Sequence, residues 1–219
     1  MPLDPAAKYP SGFFRRRDES DDGGFYQPAR LVTHIDDDAI RAVGMLYDEL
    51  GIGFGTKSPV LDLMSSWVSH FTQRPESLTV LGMNDHELLA NEMASERVIH
   101  DLNRVPQLPF ADGSFGAAVC CVSVDYLTRP FEVFGEVARV LSPSSPFVCT
   151  FSNRCFPTKV IQGWLSLNDR GRGELVADYF RFATVDGEPA FTEPTIRRCT
   201  PSASSSDPIL AVIADRHGP

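Results

Sequence analysis

The chain has 219 residues, with charged (22%) and apolar (42%) fractions ordinary for a globular protein and a net charge of −9. That length suits a single domain with one sizeable core. So acidic a balance excludes a general nucleic-acid binder, which needs a basic face to displace counterions from phosphates.

Residues 1–30 are rich in Pro, Gly and charge, yet carry Phe13, Phe14, Phe25 and Tyr26. A disordered tail rarely holds so many aromatics, so this stretch reads as an irregular arm packing on a single domain over 31–219. Within it, Arg15, Arg16 and Arg17 are followed at once by acidic residues, the pattern of a solvated or internally paired segment. HIDDDAIRAVGMLYDELGIG then places Ile40, Val43, Leu46 or Tyr47, and Leu50 at helical spacing, with acids at its start and Gly51 after its end. VLDLM and LTVLG read as the first two strands, with a helix between them from about Trp67. A helix from about His86 to Ser95 leads to a short piece at VIHDL. AAVCCV is a further strand, RPFEVFGEVARVL a helix with Pro130 in its first turn, and FVCTF the next strand. Helices follow near PTKVIQGWLSL and ELVADYFRFA, and two late strands, TIRRC and ILAVIA, flank the low-complexity loop PSASSSDP.

Apolar strands separated by helices imply an α/β fold: a doubly wound, mostly parallel, Rossmann-like sheet flanked by helices, closed by an antiparallel pair at its C-terminal edge. The five cysteines include no CxxC and sit mostly in apolar runs, which disfavours a metal site or a disulfide framework and suits a reducing cytoplasm. No signal peptide is evident, and no apolar run nears the roughly 20 residues that span a bilayer.

In such sheets a ligand lies beyond the carboxyl ends of the strands, where strand order reverses. That rule selects residues 62–66, 82–85, 101–103, 122–126 and 152–154, all small or polar and directly after apolar runs. The stretch LPFADGSFGAAVCCVSVDYLTRPFEVFGEVARVLSPSSPFVCTFSN resembles the class I S-adenosylmethionine-dependent methyltransferases, especially the branch called methyltransferase type 11. The likeness is strong over residues 108–153 and weaker from about Val60 to the C-terminus. It implies S-adenosylmethionine as cofactor, bound through Asp62, Met64, Ser65 and Ser66, through Asn84 at the ribose, through Asp101 and Leu102 at the adenine, and through Val122. Glycines of the family's first motif are replaced by Met64, Ser65 and Ser66, and Asn84 stands where an acid is usual. A serine turn is workable: its hydroxyls can donate to a carboxylate, Asp62 can hold an ammonium group, and Ser66 is a natural N-cap for the helix expected at Trp67.

Methyl transfer from a sulfonium needs mainly positioning, with a base only where the acceptor keeps its proton. Asp125, Tyr126 and His34 are the candidates to face the methyl group, and Tyr26, Asn153 and Arg154 the candidates to hold an acceptor. The leading expectation is a methyltransferase acting on a small molecule, with no nucleic-acid or membrane partner. The alternative is a methyltransferase-like binding or scaffold protein without catalysis, and a third reading keeps the cofactor for intramolecular alkyl transfer.

Overall fold

The computed structural model describes residues 5–53, 55, 57–201 and 205–218, without the side chains of residues 5 and 6. The first four residues of the arm, and residues 202–204 of the late loop, lie outside the described residues. Helix α1 (Pro5–Lys8) and helix α2 (Asp22–Tyr26) lie in the arm, which is therefore not wholly irregular. Helix α3 (Asp37–Glu49) starts where the Asp36 side chain accepts from Ala39 N, and it buries Val43 together with both Leu46 and Tyr47. Four strands and a helix follow: β1 (Val60–Leu63), β2 (Leu78–Gly82), α4 (Asp85–Ala90), β3 (Glu96–Ile99) and β4 (Ala117–Cys121).

A short 3-10 turn, Val124–Tyr126, leads to α5 (Pro130–Val140), whose first turn holds Pro130 and whose buried face is Val133, Phe134, Val137, Ala138 and Val140. Phe131 of the same helix sits half-buried against Tyr9 and Phe14 of the arm. The remainder is β5 (Pro146–Phe151), α6 (Gln162–Leu165), α7 (Asp169–Phe182), a ribbon of β6 (Thr184–Val185) with β7 (Glu188–Pro189), then β8 (Thr195–Arg198) and β9 (Leu210–Asp215).

The main sheet runs β3-β2-β1-β4-β5-β9-β8, parallel from β3 to β5 and antiparallel at β5–β9 and β9–β8. Strand order reverses between β1 and β4, so the crevice beyond their carboxyl ends is the switch point. Alternation splits each central strand between two cores. Leu61, Leu63, Ala118, Cys120, Phe147 and Cys149 face α5 and α7. Val60, Val119, Cys121 and Val148 face α3 and α4, and by the same alternation so do Asp62 and Thr150.

The helix expected from Trp67 is absent: residues 65–77 run without regular structure between β1 and β2. Serine side chains compete here with helical hydrogen bonds. Ser65 Oγ and Ser69 Oγ both donate to Asp62 Oδ2, at 2.7 and 2.5 Å, and Ser66 Oγ donates to Glu87. The helix after β2 is also shorter than expected, ending at Ala90 because Asn91 turns out of it and donates to Ser66 O and Ser69 Oγ.

The arm is fixed by a buried ionic cluster. Arg16 Nη1 donates to both oxygens of Asp22, at 2.9 and 2.6 Å, and Lys159 Nζ lies 3.1 Å from Asp22. Lys159, wholly buried, also donates to Ser20 O and pairs with Asp18. Burial pushes the Asp22 carboxyl up, but the donors from Arg16, Asn103 and Lys159 outweigh it and hold it below the usual range. That stabilisation is therefore present near neutrality and is lost as pH falls through the lowered value. Asp22→Asn leaves two buried cations short of a counterion and is expected to cost about 3–5 kcal/mol in urea unfolding at neutral pH; a loss no larger than that of Asp21→Asn, on the exposed face, would contradict it.

Candidate functional site

At the switch point lies a cavity of about 400 Å³, walled by the ends of β1, β2 and β4, the segment after β3, and the arm. It is within the range that small-molecule sites occupy. Of the residues expected to form the site, all line this cavity except Asp125 and Asn153.

The β1 wall is unusual in its backbone. Met64 has φ +53°, a left-handed conformation that an L side chain adopts only with strain of order 1–2 kcal/mol. The turn is held by Ser65 N donating to Leu81 O at 2.8 Å, and it presses on Gly82, where a Cβ would stand 2.3 Å from Ser65 O. The glycine this corner needs is therefore on β2, not in the β1 turn. Val122, after β4, also has φ +45°, a rare state for a β-branched residue. Two strained residues facing one cavity match the pattern in which strain collects at ligand sites.

The hydroxyls expected to face a ligand carboxylate are turned elsewhere. Ser65 and Ser69 bind Asp62, and Ser66 binds Glu87. Without a helix at Trp67, the expected helix N-terminus is not available to an anion either. Asp62 is almost fully buried and, among the described residues, pairs with no cation; burial lifts its carboxyl to about 6, against partial relief from Ser69 and Ser65.

Asn84 is likewise occupied. Its Oδ1 caps α4 at Glu87 N, and its Nδ2 donates to Tyr26 O and Gln27 O of the arm, at 2.7 and 2.9 Å. Glu87 completes the strap by accepting from Arg30 N, and Trp67 Nε1 donates to Val32 O. The sequence reading passed over Glu87, although its place three residues after an Asn N-cap is a capping signal. It also passed over His70 and Phe156 as cavity residues, for which the sequence offers no comparable signal.

Asp101 accepts from Asn103 N and Arg104 N, a local turn that presents Leu102 to the cavity. His34 packs edge-on to Phe156 at 5.4 Å, and burial, opposed by Glu87 and reinforced by Arg30, lowers its pKa. His70 is lowered further, to about 4, by burial and by His34. Tyr126 accepts from Phe156 N at 2.9 Å, and burial raises its phenol well above the ordinary value, as it does that of Tyr26. Asp125 is turned away from the cavity into the core, where burial raises its carboxyl to about 8 and Oδ2 has no hydrogen-bond partner. Asn153 is exposed, and Arg154 stands at the rim paired with Asp207 at 2.8 Å.

A parallel sheet with this strand order, antiparallel at one edge and opening on an acidic, aromatic cavity at its switch point, defines a class I S-adenosylmethionine-dependent methyltransferase fold. The sequence family described as a methyltransferase domain matches residues 49–149, from the end of α3 into β5. No curated protein sequence is significantly similar to it.

Solved structures share the fold at low identity. The Burkholderia thailandensis 1,6-didemethyltoxoflavin-N1-methyltransferase, bound to 1,6-didemethyltoxoflavin and S-adenosylhomocysteine, is 14% identical with TM-score 0.54, over 83% of this chain and 80% of that one. A SAM dependent methyltransferase from Archaeoglobus fulgidus is 14% identical with TM-score 0.54, over 80% and 94%. The cyclase SpnF is 11% identical with TM-score 0.54, over 88% and 90%.

The cavity residues fit S-adenosylmethionine in volume and in charge, since Asp62 and Asp101 offer carboxylates to a cationic nucleoside. The Asn84 side chain reaches a ribose only by giving up the arm.

Asp62 also sets a pH signature. Its carboxyl is raised from 3.8 to about 6, so the folded state loses stability as pH rises through that interval. Asp62→Asn is expected to remove this loss: its thermal midpoint relative to wild type should climb from about pH 4 to about pH 7. A difference that stays flat across the range would show that the carboxylate is not desolvated in solution.

Proposed function

We propose that this protein transfers a methyl group from S-adenosylmethionine to a small-molecule acceptor. The observation that supports this reading is that the protein's own arm, held by Asn84, walls one side of a switch-point cavity of about 400 Å³. The acidic balance of the chain argues against a polynucleotide acceptor. When bound, the cofactor supplies a sulfonium-activated methyl group for in-line displacement.

The residues then divide the work. Asp62 offers its carboxylate to an ammonium group, and Asp101 and Leu102 flank the place of a base. Tyr26, Trp67 and Phe156 shield the chamber from water. Their rings, with Arg30 stacked 4.6 Å from Phe25 and 5.4 Å from Phe156, give a flat acceptor an aromatic wall. His34, an exposed residue at the cavity whose pKa is lowered by partial desolvation, is the group able to take a proton from an acceptor that retains one. Arg154 stands at the rim, where it can orient an anionic substituent.

A second reading has specific support. Asn84, Ser65 and Ser66 all spend their side chains inside the protein, as expected of a methyltransferase-like binding protein that no longer turns over. Calorimetry with S-adenosylhomocysteine separates both readings from an empty fold: binding is expected at micromolar Kd, and a flat titration of folded protein rejects the cofactor. Methyl transfer from labelled S-adenosylmethionine into a small-metabolite extract then separates enzyme from binding protein; label confined to macromolecules would refute the small acceptor. With an acceptor in hand, His34→Ala is expected to lower kcat about 100-fold or more for a protonated acceptor, with S-adenosylhomocysteine affinity unchanged.

A further inference from the structure

The cofactor reading above assigns the ends of β1, β2 and β4 and the turn after β3 to S-adenosylmethionine. What remains for an acceptor is the wall made by the arm and the segment after β5, and the inference here rests on that division. Three rings meet at this wall. Tyr26, Tyr126 and Phe156 line the cavity, and Phe156 has Phe25 at 5.4 Å and Tyr126 at 5.9 Å between ring centroids.

Arg30 reaches into this group from the arm. Its main-chain N–H is fixed on Glu87 at 2.7 Å, while its guanidinium lies over Phe25 and Phe156 and borders the cavity. Glu87 belongs to α4, after β2, and Phe156 follows β5, so the side chain crosses from the cofactor side of the switch point to the acceptor side.

The charge on that guanidinium is unmatched. Among the described residues no carboxylate pairs with it; Nη2 donates to Phe25 O at 2.8 Å and Nη1 to Pro28 O at 3.3 Å. Arginine carries five N–H donors in a planar fork, so Nε and one hydrogen on each terminal nitrogen remain. The neighbouring carboxylates are engaged. Glu87 accepts from Arg30 N and Ser66 Oγ, and Asp22 is held by Arg16 and Lys159. The cavity's other arginine, Arg154, is paired with Asp207. Arg30 is therefore a half-buried cation seated on two rings, which limits its side-chain freedom and leaves its spare donors ready for an anion held by two parallel bonds.

We propose that the methyl acceptor is a planar aromatic carboxylate, its ring lying among Tyr26, Tyr126 and Phe156 and its carboxylate taking hydrogen bonds from Arg30. A cationic acceptor is repelled by the same guanidinium, and a neutral one leaves the spare donors unused.

The test uses four probes of similar size on the full chain saturated with S-adenosylhomocysteine: benzoate, benzamide, benzylamine and cyclohexanecarboxylate. Dissociation constants are read by ligand-observed NMR. Benzoate is expected to bind about tenfold or more tighter than benzamide, the scale of hydrogen bonds to a charged group, and tighter than the other two. Arg30→Gln is expected to remove that preference by weakening benzoate alone, with benzamide and S-adenosylhomocysteine affinities unchanged. Those two unchanged affinities also show that the site is still folded. Arg30→Lys, which keeps the charge but not the fork, should restore only part of the benzoate affinity.

Equal binding of benzoate and benzamide, or a preference for benzylamine, overturns the acceptor class and leaves the cofactor reading intact. Cyclohexanecarboxylate binding as tightly as benzoate overturns the aromatic part of the proposal. A preference lost in Arg154→Gln but kept in Arg30→Gln overturns the assignment to Arg30. Arg30→Gln that weakens S-adenosylhomocysteine but not methylthioadenosine, which lacks the amino-acid end, overturns it too and gives the guanidinium to the cofactor. Wild-type protein that binds no S-adenosylhomocysteine removes the cofactor reading, and the acceptor assignment with it.

Discussion

A buried carboxylate, unpaired with any cation among the described residues, organises the open end of this sheet. Asp62 sits at the end of the first strand, 4% exposed, and draws Ser65 and Ser69 onto a single oxygen. Those two bonds curl the chain back under the strand where a helix would otherwise begin. The curl in turn turns Met64 into the left-handed region and lays Ser65 against Gly82. Keeping an acid this dry is unfavourable, and its raised pKa reports the strain. A buried group held against its preference, facing a cavity and beside two strained backbone positions, is what ligand sites commonly look like.

The arm is the second determinant, and it works through hydrogen bonds from side chains of the domain to its own main chain. Asn84 grips the carbonyls of Tyr26 and Gln27, Glu87 takes Arg30 N, and Trp67 takes Val32 O. Farther along, Arg16, Asp22 and Lys159 lock the same arm to the segment before α6. Asn84 thus has two possible uses, arm latch and ribose contact, and its geometry here serves the first. The arm and the start of α4 share one side chain.

Fold-level features were legible because they depend on period and composition. Apolar runs gave the strands of the parallel sheet, the three-to-four spacing of Val43, Leu46 and Leu50 gave α3, and Pro130 marked the start of α5. The late antiparallel edge pair was readable from two apolar runs with no helix between them. The helix at Trp67 was misread because Ser65, Ser66 and Ser69 look neutral in sequence. Their preference is settled by Asp62 and Glu87, the second of which lies 21 residues away from Ser66. The tiny β6–β7 ribbon carried too few residues to signal at all.

The sequence alone was enough to bring most of the expected residues to one cavity, Asp125 and Asn153 excepted, since strand ends in a doubly wound sheet converge at its switch point. It did not determine what those side chains do there. Asn84 and the serines had chemistry suited to a cofactor, but other parts of the chain claimed their hydrogen bonds, and Asp125 turned inward. Only tertiary structure decides such outcomes, because whether a hydrogen-bonding group is free depends on neighbours that folding, not sequence proximity, supplies.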